Sequence, residues 1–256
     1  MRILLSNDDG YHAPGLAVLE RIAAQLSDDV WVCAPASEQS GTGRSLTLTR
    51  PLRVKQFGEK RFAVGGTPTD AVMYALAELL RDTPPDLILS GVNRGGNIAE
   101  DVMYSGTVSA AMEGALAGVR SVALSQRYGR REPGDDVSFT AAEEWGARVL
   151  RPLLDYDWAP RSVVNINFPE PEAGAVKGVR VVPQGLRDYG RVRFDRRTDP
   201  RGFDYHWLSM GRAVPADDDG SDLTTITQGW ITVTPLQLDL TLHGSLAALG
   251  DAFAGV

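Results

Sequence analysis

Residues 1–35 read MRILLSNDDGYHAPGLAVLERIAAQLSDDVWVCAP. The aliphatic run at 3–5 stops at polar Ser6-Asn7-Asp8-Asp9-Gly10. Pro14 then opens a segment with apolar residues at Leu16, Leu19, Ile22, Ala23 and Leu26, the three-and-four spacing of one helix face. Residues 30–34 (VWVCA) form the next β-rich run, which stops at Pro35. A strand, an amphipathic helix and a second strand within 35 residues predict a parallel βαβ unit.

The pattern repeats outward from there. Residues 62–64 predict a third strand, and Thr67-Pro68-Thr69-Asp70 predicts a capping box that launches a helix to about residue 80. Residues 87–89 and 121–125 predict strands, with helices over 107–119 and 139–154. Uncharged strands separated by amphipathic helices imply a three-layer α/β fold, a doubly wound, mostly parallel, Rossmann-like sheet. Beyond about residue 160 the character changes. Residues 162–168 and 179–182 are strands with no helix between them, and 187–212 reads as a long hairpin rich in Arg and aromatics. Residues 230–233 predict a further strand and 245–254 a weak helix. The expected division is an α/β core over 1–160 and a β-rich C-terminal extension over 161–256.

Among the 256 residues, 26 Lys and Arg stand against 33 Asp and Glu, a net charge of -7. That balance argues against a stable nucleic-acid complex, which needs a basic excess. A single cysteine, Cys33, excludes an intrachain disulfide and a cysteine zinc cage. No apolar run approaches the ~20 residues of a membrane span, and residues 1–10 carry no signal-peptide pattern. The expectation is a cytoplasmic protein with no membrane contact.

In an open parallel sheet, ligands bind beyond the carboxyl ends of the strands. Three loops expected there are polar: Asn7-Asp8-Asp9-Gly10, residues 37–41 (SEQSG) and residues 90–97 (SGVNRGGN). They offer carboxylates, a hydroxyl and amides, hard oxygen donors suited to Mg²⁺ or Mn²⁺. Asn-Asp-Asp-Gly is equally good chemistry for an exposed turn. The turn Ser105-Gly106-Thr107 leads into a helix whose free N–H groups suit a phosphate, although ordinary N-capping by Ser105 or Thr107 explains it as well.

Five blocks together, MRILLSNDDGYHAPGL, APASEQSGTGRSLTL, GGTPTDAV, LILSGVNRGGN and DVMYSGTVSAAMEG, resemble the SurE family of survival-protein nucleotidases. The resemblance implies a metal-dependent phosphomonoesterase acting on nucleoside 5′-monophosphates, with 3′-monophosphates as a further substrate class. It implies one divalent metal per subunit, held by Asp8, Asp9, Ser40 and Asn93. It assigns Asn97, Ser105, Gly106 and Thr107 to the phosphate and nucleotide pocket. Ala99 stands where the family often has Gly. Asp239 and His243, four residues apart, match family positions near the active site, where a histidine oriented by a carboxylate would protonate the leaving oxygen. Asp8 is either a ligand beside an activated water or itself the nucleophile. The family's extension exchanges between subunits, which implies a homodimer or homotetramer.

The other candidates have structural readings. His12 is expected to shape its loop, and His206 to pack or face an interface. Arg191, Arg193, Arg196 and Arg197 belong to a solvated or subunit-facing hairpin, with substrate contact as the alternative. Tyr189, Phe194, Phe203, Tyr205, Trp207 and Trp230 have the composition of an interface. Asp217-Asp218-Asp219 reads as a solvated loop, and Cys33 as a small buried apolar group. The competing functional class is a nucleotide-binding sensor without turnover. A dinucleotide oxidoreductase would need GxGxxG where NDDGYHAPG stands, and a haloacid-dehalogenase-type phosphatase would need DxD.

Overall fold

In the structure, a computed structural model that describes residues 1–128, 137–170, 176–187, 192–210 and 218–255, β1 (Arg2–Ser6) lies inside a nine-stranded sheet. It pairs in parallel with β2 (Asp29–Pro35) on one side and with β5 (Leu87–Arg94) on the other. Strands alternate their side chains between two faces. Ile3 and Leu5 pack with α1 (Pro14–Ala24) and α4 (Thr140–Leu154), while Leu4 packs with α2 (Pro68–Tyr74) on the opposite face. Both faces are therefore covered, which explains why β1 reads as an unbroken aliphatic run.

Outward from β2 the sheet continues through β4 (Arg61–Val64) to β3 (Val54–Gly58). On the other side, β5 leads to β6 (Arg120–Gln126) and β7 (Ser162–Phe168). β11 (Ile231–Gln237) and β8 (Val179–Val181) complete it, so one sheet runs on past residue 160. Within this sheet, among the described residues, only the β3–β4 and β7–β11 pairs are antiparallel. Between β5 and β6, α3 (Gly106–Leu116) covers the same face as α2. β9 (Val192–Thr198) and β10 (Asp204–Met210) make a separate antiparallel ribbon. A single turn, α5 (Asp222–Thr225), precedes β11, and α6 (Leu246–Ala252) ends the tail.

Three elements differ from the expectation. The helix from Thr67 has the capping box, but its α-helical part ends at Tyr74 and continues as a π-helical turn over Ala75–Leu79. β3 is an edge strand with polar residues on both faces, so it carries no apolar signal. β5 continues through Ser90-Gly91-Val92-Asn93 to Arg94, where the sequence reads as a loop. Gly91 permits this: its φ is +143°, and a Cβ there would run into the Leu124 carbonyl of β6.

Tyr189, Arg191 and Asp217 lie outside the described residues. Asp218 and Asp219 are accounted for locally: their carboxylates accept the backbone N–H groups of Gly220 and Ser221 at the entry to α5.

Candidate active site

Strand order reverses between β1 and β5, because the chain first builds outward through β2 and β4 and then returns to the other edge of β1. The loops after these two strands flank the crevice created there. Asp8 follows β1 directly and is 4% exposed. Its carboxylate accepts the Thr107 hydroxyl, which ties this loop to the first turn of α3. Burial pushes the Asp8 carboxyl up to about 6, and the Thr107 bond opposes the rise. The neighbouring charge of Asp9 adds to it. Asp9 is also raised by burial, opposed by the backbone N–H and guanidinium of Arg94. Its Oδ2 accepts the Arg94 N–H at 2.9 Å, which brings the end of β5 onto this loop.

The second loop closes over the first. Gln39 N–H donates to the Asp8 carbonyl at 2.8 Å, which ties the loop that carries Ser40 to the Asp8 loop. The Ser40 hydroxyl donates to Glu38 at 3.0 Å and keeps its oxygen lone pairs. Asn93 Nδ2 donates to the Gly95 carbonyl at 2.9 Å, a bond that its Oδ1 does not share. Glu38, not singled out from the sequence, adds a carboxylate whose charge acts on Asp9 and which pairs with Arg94 at 3.4 Å.

Asn97 is held from the sheet. Its N–H donates to Asn167 Oδ1 at 2.8 Å, its Nδ2 to Ser125 at 2.8 Å, and its carbonyl accepts Asn165 at 2.8 Å and Asn167 at 3.1 Å. Ser125, Asn165 and Asn167 are buried polar residues at the ends of β6 and β7, and their sequence signal is the polar alternation inside aliphatic strands. Ser105 and Thr107 divide the roles that sequence left open. Ser105 caps α3 through the Val108 N–H at 3.0 Å, while Thr107 turns to Asp8. Between them, Gly106 is required by contact: a Cβ there would stand 2.7 Å from Asp8 Cβ and 3.0 Å from Pro68.

This donor set suits a hard divalent cation. Two partly desolvated carboxylates lie on a loop joined by hydrogen bonds to the segments that carry the Ser40 hydroxyl and the Asn93 amide, and no lysine, arginine or histidine acts on Asp8 among the described residues. Among those residues there is no group of three or more His, Cys, Asp or Glu side chains that could hold a metal.

Asp239 and His243 pair with each other. His243 Nε2 lies 2.8 Å from Asp239 Oδ2, on an exposed tail beyond β11. Among the described residues, no hydrogen bond or ion pair recorded for either reaches the Asp8 loop. His12 is exposed and edge-on to Tyr11 and Phe57. His206, Arg193, Arg196 and Arg197 lie on the exposed ribbon, where Arg196 pairs with Asp204. Cys33 is buried and donates to the Ala71 carbonyl at 3.2 Å.

The profile of the Survival protein SurE family matches residues 3–191. A protein of Rhizorhabdus wittichii named 5′-nucleotidase SurE is 66% identical over 248 residues, covering 97% of this chain and 98% of its own. One of the same name from Erythrobacter litoralis is 54% identical, covering 99% of this chain and all of its own. The crystal structure of the SurE protein from Aquifex aeolicus superposes with a TM-score of 0.83 at 34% identity, over 98% of this chain and 99% of that one. Fold, loop order and sequence agree along nearly the whole length, and the chain belongs to the SurE family.

Proposed function

We propose that the protein is a metal-dependent 5′-nucleotidase that hydrolyses nucleoside monophosphates to nucleoside and phosphate. The observation that carries this reading is the convergence of Asp8, Asp9 and the Ser105-Gly106-Thr107 turn on one crevice. The name shared by the two relatives supports the substrate class.

Asp8, Asp9, Ser40 and Asn93 would hold the cation. When bound, a divalent metal offsets phosphate charge and makes a coordinated water more acidic. The start of α3 would offer N–H groups to the phosphate, and Asn97, fixed by Asn167 and Ser125, would line the same pocket. Phosphoryl transfer asks mainly for such positioning and charge neutralisation. Asp8, kept by Thr107 in one orientation, either aligns the attacking water or attacks phosphorus itself.

Asp239 and His243 are proposed to donate the proton to the leaving oxygen from the tail of a neighbouring copy. Both are exposed within their own chain, where a phosphate held by a neighbouring copy could meet them. The same tail exposes Leu240 (82%), Leu242 (73%) and Phe253 (67%), and the β9–β10 ribbon exposes Phe194, Tyr205 and Trp207. A lone two-stranded ribbon is marginal in water, and this apolar surface suits a homodimer or homotetramer. The cytoplasm is the proposed compartment. A free buried cysteine suits it, and among the described residues no helix is long and apolar enough to cross a membrane.

The test is phosphate release from 5′-AMP and 3′-AMP, with Mn²⁺, with Mg²⁺ and after chelation by EDTA. Release from 5′-AMP that EDTA abolishes and Mn²⁺ or Mg²⁺ restores is expected. Saturable AMP binding with no release would leave a sensor and overturn the proposal.

A further inference from the structure

The segment that joins the two halves of the proposed phosphate pocket, residues 98–104, is gripped by residues from the far end of the chain. Asn97 precedes it and Ser105 follows it. Its first residue after Ile98 is Ala99, fully buried with φ +53°, in the left-handed region that disfavours any residue with a Cβ. Both polar groups of Ala99 are taken up by the second half of the chain. Its N–H donates to Asp222 Oδ2 at 3.0 Å, and its carbonyl accepts Gln184 Nε2 at 2.8 Å. Asp222 is 0% exposed, and its other oxygen accepts the Gly185 N–H at 2.8 Å, so the carboxylate bridges two backbones.

A second grip lies two residues on. Arg187 donates to both oxygens of Asp101, at 2.7 and 2.8 Å, and to Glu100 at 3.1 Å. Its own N–H donates to Glu100 Oε2 at 2.8 Å. The turn Ala99–Met103 held in this way hands the chain to Tyr104, whose carbonyl accepts the Gly43 N–H at 3.2 Å, and then to the α3 cap. Nothing in the active-site chemistry requires a fully buried carboxylate 123 residues away from Ala99. A strained backbone that sets the spacing of two phosphate-binding elements does.

We propose that Asp222 is a positioning residue for the phosphate pocket, holding Ala99 in its left-handed conformation so that Asn97 and the start of α3 keep their separation. This inference rests on the reading of the site as a phosphomonoesterase. Asp222 acts through the 98–104 turn and itself bonds Ala99 and Gly185 rather than Asp8, Asp9, Ser40 or Asn93, so its effect is expected to fall on phosphate-ester KM more than on the Mn²⁺ constant. Replacing Asp222 by Asn keeps the shape but turns an NH₂ toward a backbone N–H, so one of the two bonds is lost and the pair repels.

The experiment measures KM and kcat for 5′-AMP and p-nitrophenyl phosphate, together with the Mn²⁺ activation constant, in the full chain. Asp222→Asn is expected to raise KM for both substrates ~10-fold, because both share the phosphate, with the Mn²⁺ constant changed less than about twofold. Adding Ala99→Gly to that variant is expected to bring KM back to within about threefold of the parent, since glycine adopts φ +53° unaided. Should Asp222→Asn lose its cooperative melt, Gln184→Ala carries the test, because it removes only the bond to the Ala99 carbonyl from an exposed position. A rise in KM of roughly threefold is expected there. An unchanged KM, an Mn²⁺ constant that rises in step with KM, or no recovery with Ala99→Gly would overturn the proposal. A parent protein that releases no phosphate would overturn the phosphomonoesterase reading and this inference with it. An active parent with an unaffected Asp222→Asn variant would overturn the inference alone.

Discussion

Asp8 carries two opposed demands, burial at the end of a central strand and, under the proposed function, a negative charge for a cation. Burial raises its carboxyl from 3.8 to about 6, so without a cation the ionised form makes the folded state less stable. Below pH 3.8 both folded and unfolded chains hold the proton and the penalty is absent; above pH 6 both are ionised and it is complete. Asp8→Asn is therefore expected to stabilise the EDTA-treated protein by up to ~3 kcal/mol at pH 7.5, with the gain fading as pH falls to 4. Thermal melts at the two pH values check this, and a destabilised variant at pH 7.5 would refute the burial argument. Cys33 shows burial acting on a group with no such task. Burial alone pushes its thiol up to about 12, so a thiol reagent such as DTNB at pH 8 is expected to leave it unmodified until the protein unfolds. At this scale the sequence shows Asp8, Asp9 and Thr107 well, because each sits in a short polar motif next to an apolar run. Asp222 is invisible there, since its partner Ala99 lies 123 residues away and only the folded chain brings them together.

Among the elements, α3 couples the fold to the site. Ser105 caps it, and its first turn faces Asp8. Ser105→Ala is expected to cost ~1 kcal/mol of stability through loss of the cap, read as a lower melting temperature. Gly106→Ala tests a contest of effects. Alanine favours helix over glycine by up to about 1 kcal/mol, but its Cβ would overlap Asp8. The overlap wins, because Asp8 and Pro68 are both packed against that point, and the variant is expected to be less stable and inactive. An active, stabilised variant would show that Asp8 can move aside. Elements with a period were legible: β1, β2, β7, α1 and the start of α3 lie where apolar spacing puts them. β3 was not, having no apolar face, and neither was the far half of β5, whose polar Ser-Gly-Val-Asn run imitates a loop.

At the scale of the whole molecule, the sheet order places the NDDG loop and the SGVN end of β5 on either side of the switch point, and that placement brings together residues 85 apart. The ribbon and tail project aromatic and leucine side chains that their own chain does not cover. Light scattering at micromolar concentration is expected to report a dimer or tetramer, and a monomer there would contradict the proposal that His243 acts on a neighbouring copy's phosphate. His243→Ala should then slow AMP hydrolysis by roughly 10²–10⁴-fold but p-nitrophenyl phosphate hydrolysis much less, since that leaving group needs no proton. Equal losses would point to a structural role. The most direct test of the account as a whole is a Mn²⁺ titration of 5′-AMP hydrolysis by the parent protein and by Asp9→Asn. The account predicts a saturable activation in the parent and no recoverable activity in the folded variant at any Mn²⁺ concentration. Turnover by Asp9→Asn near the parent's at saturating Mn²⁺ would contradict it.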